Sequence, residues 1–381
     1  MLKGISWDHP RGYQPLRAAA DIWRKPSGID LQWDVRTLQE FGDMPVEKLV
    51  DLYDLIIVDH PYMGEAASKG LLLPLDEYLP EEFLAVQAGE SVGPSYESYR
   101  WNGHQYALPV DAAAQVAVYR MDLADAFGWQ PPVSTDELRT AAAKLPGKYY
   151  MAVPLCPTDI WCVFLTLCAQ YNNGEFFSPS GLDVEAGCYA LDQLGEWSGF
   201  LHRDSFHMNP IQMMDRMVSE DEIVYCPFSF GYTNYARRDL SGRKLVFMDA
   251  PRRRADGVST LLGGAGIAVS SRSTRQEASM DFIRYVLDPV VQRTVYYRNG
   301  GQPGHLSAWK DPVCNWDCGG FFSRTLYTLE HAYRRKGVPG FNRFQEQGAD
   351  LVHRWVRDRA ATSSCMRQLN NLYQTICYEA V

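Results

Sequence analysis

Two tripeptides hold the densest chemistry in the chain, Asp8-His9-Pro10 and Asp59-His60-Pro61. A carboxylate beside an imidazole can accept hydroxyl or amine protons, exchange protons with a substrate, or ligate a divalent ion. Arg11 follows the first motif and offers a two-pronged donor for a carboxylate or phosphate. Another carboxylate, Asp111, sits inside the apolar run Tyr106 to Tyr119, and aromatic and small residues gather at Pro227-Phe228-Ser229-Phe230-Gly231-Tyr232. Cys156 and Cys162 flank Pro157-Thr158-Asp159, and Cys226 precedes the aromatic stretch. A thiol near His9 or His60 would be activated by a lowered pKa, whereas a buried cysteine is inert packing. For the tripeptides the plainer alternative is an Asp that caps a turn and a Pro that stiffens it.

The two Asp-His pairs contain four side chains suited to zinc, but their separation leaves convergence to the fold, and no metal is assigned. Cys314 and Cys318 lack a second ligand pair nearby, against a structural zinc. Gly263-Gly264-Ala265-Gly266 precedes a strand instead of linking a strand to a helix, so it is not a nucleotide fingerprint, and no cofactor is assigned.

These residues need a scaffold, and the pattern around them supplies one. Leu2–Trp7 reads as a strand, Leu16–Trp23 as a helix with one apolar face, Ile29–Val35 as a half-buried strand, and Val46–Tyr53 as a short helix. Leu55–Val58 is a β-branched run fit for a strand buried on both faces, followed by a helix over Gly64–Lys69. Strands alternating with helices predict a mainly parallel sheet, and ligands bind beyond the carboxyl ends of such strands. Both tripeptides stand at those ends. Pro109 cannot donate to a sheet ladder, so the Tyr106–Tyr119 run predicts a strand broken at a hinge near Asp111, with Val116–Tyr119 in a second lobe. Beyond it, Ser134 or Thr135 caps a helix running to Leu145. Met151–Leu155, Glu222–Cys226 and Lys244–Phe247 read as strands, Trp161–Tyr171 and Gly187–Trp197 as helices, and the chain from Phe321 as mostly helical.

At 381 residues, 46% of them hydrophobic and 22% charged, the chain predicts two globular domains. A net charge of -9 argues against a nucleic-acid surface, and no apolar segment is long enough for membrane insertion. The Arg252-Arg253-Arg254 run reads as a solvated loop. The nine cysteines form an odd set with no disulfide pattern, and Met1–Trp7 enters a strand with no secretory signal peptide, which together predict a cytoplasmic protein. A periplasmic location is the alternative if the true start or leader lies elsewhere.

In this order the pieces resemble the family 1 extracellular solute-binding proteins of ABC importers, which include the maltose- and glycerol-phosphate-binding proteins. The similarity rests on four stretches: Leu55–Asp59 with Gly70–Leu79; Gly103 with Tyr106-Ala107-Leu108-Pro109; Gly263–Ser271 with the helix Glu277–Leu287; and Gly300–Pro312. Together they span roughly residues 1 to 312. The resemblance implies an α/β fold of the type II periplasmic-binding-protein kind, with two lobes, hinge crossings and an interlobe ligand cleft. It divides the chain into 1–110 plus 263–312, and 111–262 plus 313–381 with the C-terminal helices. The ligand contacts it implies fall on Trp7, Asp8, His9 and Arg11; on Asp59, His60 and Tyr62; on Asp111; on Thr158, Asp159 and Trp161; and on Ser229, Phe230 and Tyr232, with Gly264 and Gln302 beside them.

The expected function is binding of a small polar, sugar-like solute in that cleft, with an ABC importer permease as partner if the protein is exported. The alternative is a cytosolic enzyme on the same clamp, as thiaminase I is on this fold, with Asp59, His60 or Cys156 as candidate catalytic groups. Three carboxylates, Asp8, Asp59 and Asp111, argue for a cationic or polyhydroxylated solute unless Arg11 and the histidines offset them.

Overall fold

The computed structural model describes residues 1–238 and 243–378. Its main sheet runs in the order Leu31–Arg36, Leu2–Trp7, Leu55–Val58, Leu262–Val269, Leu108–Tyr119, Ile223–Phe230 and Tyr150–Met151, with Val246–Met248 also on Leu108–Tyr119. The first three strands are parallel, so the ends of Leu2–Trp7 and Leu55–Val58 lie side by side at one rim. Leu262–Val269 is antiparallel to both of its neighbours, as expected of a chain returning from the other lobe.

Leu2–Trp7 and Leu55–Val58 occupy the residues their sequence patterns predict. Val46–Tyr53 does not: only a 3-10 turn over Val46–Lys48 forms, the stretch being too short to pass helix nucleation. Ser134 caps as expected, accepting from Asp136 N–H at 3.2 Å, but a 3-10 turn over Thr135–Glu137 leads into a helix that ends at Ala143. The strand expected over Met151–Leu155 shrinks to Tyr150–Met151.

The expected break at the hinge is also corrected. Leu108–Tyr119 is one twelve-residue strand, buried as far as Val118. Its irregularity lies in the pairing: the register with Leu262–Val269 slips between the pairs Ala265–Asp111 and Gly266–Pro109. A bulge there absorbs the N–H that Pro109 lacks. The first half of the strand pairs with Leu262–Val269 and the second with Ile223–Phe230, so one element crosses between lobes. Gly264 faces it with φ of +99°, and a Cβ there would stand 2.5 Å from Asp111 O, so both backbone angle and space demand glycine.

Separate apolar clusters fill the two lobes. One packs Leu2, Leu16, Trp23, Trp33, Leu55 and Ile57 with Phe282 and Ile283. Another gathers Trp161, Phe164, Trp197 and Phe228 with Phe344, Val352 and Leu369 from the helices Phe341–Asp358 and Thr362–Cys377. Trp161 stacks on Phe164 at 5.5 Å and meets Phe344 edge-on at 5.4 Å. Truncating it to alanine would cost about 3–5 kcal/mol. No helix among the described residues is long and apolar enough to cross a membrane.

Candidate functional site

A cleft of about 530 Å³ opens at the strand ends. Trp7, Arg11, Phe41, Asp59, Asp159, Phe230, Tyr232 and Arg335 line it, with Asp111 and Gly264 of the crossing strands at its floor. This size and mixture of apolar faces with a few polar groups suits a small ligand.

At the floor, Arg11 binds Asp111 through two parallel hydrogen bonds, Nε to Oδ2 at 2.8 Å and Nη2 to Oδ1 at 2.5 Å. Its Nη1 donates to Gly231 O at 2.7 Å, and its guanidinium lies 4.7 Å from the Tyr232 ring centroid. Burial opposes the charge on Arg11, but Asp111 outweighs it and the proton is held more tightly than usual. Burial pushes the Asp111 carboxyl upward while Arg11 opposes it; the paired geometry marks the charged form. The partner of Arg11 is thus a carboxylate of this chain, and the fork is already occupied.

The second ion pair comes from a residue that sequence reasoning missed. Arg335 Nη2 donates to Asp59 Oδ2 at 2.6 Å, and its backbone N–H donates to His60 Nε2 at 3.3 Å. Burial would raise the Asp59 pKa, but Arg335 and His60 overcome it and hold the carboxyl below the usual range. Asp59 Oδ1 accepts from His60 N–H at 2.8 Å, so Asp59 also caps the turn His60–Tyr62.

Asp159 is different. It lines the cleft in the first turn of the helix Pro157–Asn172, and Cys156 Sγ donates to its Oδ2 at 2.9 Å. Burial raises its pKa to about 7, with the thiol opposing. Burial, together with Asp159, drives the Cys156 thiol well above its ordinary value, and burial pushes Cys162 up to about 12. Neither is an activated nucleophile.

Several of the expected residues are not among those lining the cleft. Asp8 is exposed, and His9 caps the helix Pro10–Ser27 by accepting from Arg11 N–H at 3.1 Å. Burial, then Arg11, lowers the His9 pKa to about 4. His60 is buried against Asp59 and Arg335 rather than placed for proton transfer, and Tyr62 points its hydroxyl at Gly42 O, 2.8 Å away. Trp161 belongs to the core because its helix is buried on nearly every face. Ser229 is buried on the strand Ile223–Phe230, which runs on past Pro227 through a register slip. Gln302 ties the turn Thr233–Tyr235 to the crossing strand, accepting from Thr233 N–H at 3.1 Å and donating to Ala112 O at 2.8 Å. Trp7, Arg11, Asp59, Asp111, Thr158, Asp159, Phe230, Tyr232, Gly264 and Cys156 do line the cleft. The two Asp-His-Pro loops are neighbours, and the described residues contain no group of three or more His, Cys, Asp or Glu that could hold a metal ion.

The family of bacterial extracellular solute-binding proteins matches residues 47–308, well over half of the chain. The chain belongs to that family. Among curated proteins, this solute-binding protein is 32% identical over 138 residues to a maltotriose-binding protein of Pyrococcus abyssi (strain GE5 / Orsay). The match covers 34% of this chain and only 28% of that protein. Among solved structures, it is similar to an ABC transporter solute-binding protein from Agrobacterium radiobacter K84 in complex with ribitol. There the TM-score is 0.83 at 17% identity, over 100% of this chain and 98% of that one. A maltose-bound T. maritima protein gives 0.82 at 15% identity, over 97% of each chain. The two-lobe solute-binding fold follows from these likenesses.

Other walls of this solute-binding protein also escaped sequence reading. Leu38, Gln39, Phe41 and Gly42 come from the helix Leu38–Asp43, and Asn209 and Pro210 from the start of the helix Pro210–Ser219. Gln345, Glu346, Ala349 and Asp350 lie on Phe341–Asp358 at the i, i+1, i+4, i+5 spacing of one helix face. That stripe is visible once the helix is known, but nothing in it tells which face meets the cleft.

Proposed function

We propose that the cleft binds a small, neutral, polyhydroxylated solute, a sugar or polyol, and that the protein is the solute receptor of an ABC importer. The observation that carries this reading is the pairing of both cleft guanidiniums with carboxylates, Arg11 with Asp111 and Arg335 with Asp59. Neither arginine is left as a counter-ion for an anionic ligand, while Trp7, Phe41, Phe230 and Tyr232 offer faces for sugar C–H groups. The ligands of the related proteins support the same class, namely maltotriose, ribitol and maltose. Residues 1–110 with 263–312, and 111–262 with 313–381, are proposed as the two bodies that close on the solute.

Mass spectrometry of the solute carried by the purified protein tests this. A neutral polyhydroxylated mass supports it; a phosphorylated or carboxylated one sinks it. Delivery to an importer requires export, whereas nine unpaired thiols favour the cytoplasm. Cell fractionation separates these: protein outside the inner membrane supports delivery, and confinement to the cytoplasm leaves binding without it.

A further inference from the structure

The segment between the helices Phe321–Glu330 and Phe341–Asp358 is a third link between the lobes. Tyr333 N–H donates to Thr260 O and Leu262 N–H donates to Tyr333 O, each at 2.8 Å, so the segment enters beside the crossing strand. It then reaches the first lobe, where Arg334 Nη1 donates to Glu97 O at 2.8 Å. Gly64 and Gly337 meet there so closely that a Cβ on Gly64 would stand 1.6 Å from Gly337 O.

Arg335 is fixed within this link on several sides: Nη2 to Asp59, Nη1 to Gln345 Oε1 at 3.1 Å, and the backbone to His60. Its Nε–H is buried and has no acceptor among the described residues, although Arg335 lines the cleft. Trp7 Nε1–H has the same two properties, on a residue 4% exposed. Buried donors without acceptors are costly, and these two differ from others such as Trp33 Nε1 and Trp161 Nε1 in belonging to residues that line one cavity, which points to an acceptor supplied from it. Both guanidinium charges there are balanced by carboxylates, so that acceptor need not be an anion.

We infer that Arg335 Nε–H and Trp7 Nε1–H donate to oxygens of the bound solute, and that Asp59, His60 and Gln345 are positioning residues that hold the guanidinium for this task. The inference rests on the reading of the cleft as a sugar or polyol site. It gives the solute a direction: hydroxyl or ether oxygens that accept hydrogen bonds face the Trp7–Arg335 end, and hydroxyl donors face Asp159. The Asp-His pair at residues 59 and 60 thereby acquires a role other than chemistry.

The test is calorimetric titration of the full chain with ribitol, D-mannitol, maltose and maltotriose, for wild type, Arg335→Lys and Trp7→Phe. Lysine keeps the charge facing Asp59 but lacks the Nε–H; phenylalanine keeps the ring but lacks the indole N–H. Each variant is expected to lose about tenfold in affinity for the solute that wild type binds. In the wild type, the Trp7 indole proton resonance is expected to move on saturation. Wild-type affinity in both variants, or an unmoved resonance at saturation, overturns the inference while leaving the cleft reading intact. Binding of none of the four by wild type overturns both. If Arg335→Lys fails to fold, Trp7→Phe and the indole resonance decide.

Discussion

Arg11 and Asp111, one hundred residues apart, meet as a buried two-bond ion pair at the floor of the cleft. Removing one partner leaves the other charge buried and unpaired, which costs about 3–5 kcal/mol, whereas replacing both with apolar residues costs much less. Arg11→Met and Asp111→Leu are each expected to lower urea stability by that amount. The double variant is expected to recover most of the loss. Simple additivity of the two single effects contradicts the pairing.

Asp159 gives stability a pH dependence of known sign. Its folded pKa of about 7 lies above the ordinary 3.8, so the fold favours the neutral acid. The contribution is complete below about pH 4, drains as pH rises through 7, and is gone above it. Wild type is therefore expected to lose stability relative to Asp159→Asn from pH 4 to 7 and to level off by about pH 8. Paired urea curves at four pH values check this; a difference that stays flat contradicts it.

The thiols carry a third prediction. Burial, followed by the Asp159 charge, raises the Cys156 pKa, so this half-buried cleft thiol stays protonated at neutral pH. Alkylation by iodoacetamide at pH 7.5, followed by peptide mass spectrometry, is expected to modify Cys156 more slowly than free cysteine. Rapid modification would restore the case for a thiol nucleophile.

Sequence patterns were most legible where period and strand length coincide with burial. Leu2–Trp7 and Leu55–Val58 are short apolar runs bounded by turn residues, and their ends present Trp7, Arg11 and Asp59 to the cleft. Pro109 misled for a specific reason: a missing N–H breaks a ladder only if the register cannot slip, and here a bulge opposite Gly266 lets the strand run on. Trp161 misled because a residue near a helix start, which resemblance places at the cleft, turned inward to Phe164 and Phe344. Arg335 left no local trace at all. Its role depends on Asp59, 276 positions away, and on an extended segment without periodicity.

Charge selectivity follows from the cleft walls. Five carboxylates line it, Asp59, Asp111, Asp159, Glu346 and Asp350, against two arginines that are both paired. An anionic solute meets repulsion with no free guanidinium to offset it. D-gluconate is expected to bind at least about tenfold more weakly than D-mannitol, a difference of roughly 1.4 kcal/mol, in competition calorimetry at 0.15 M salt. Equal or tighter binding of gluconate contradicts the charge pairing.

The central claim is that this cleft holds a neutral polyhydroxylated solute, and direct calorimetry on solute-free protein tests it most plainly. Refolded protein titrated with ribitol, D-mannitol, maltose and maltotriose is expected to bind at least one with a dissociation constant in the micromolar range or below, and Asp111→Ala is expected to abolish that binding. No heat with any of the four, alongside tight binding of a phosphorylated or carboxylated compound, would contradict the account.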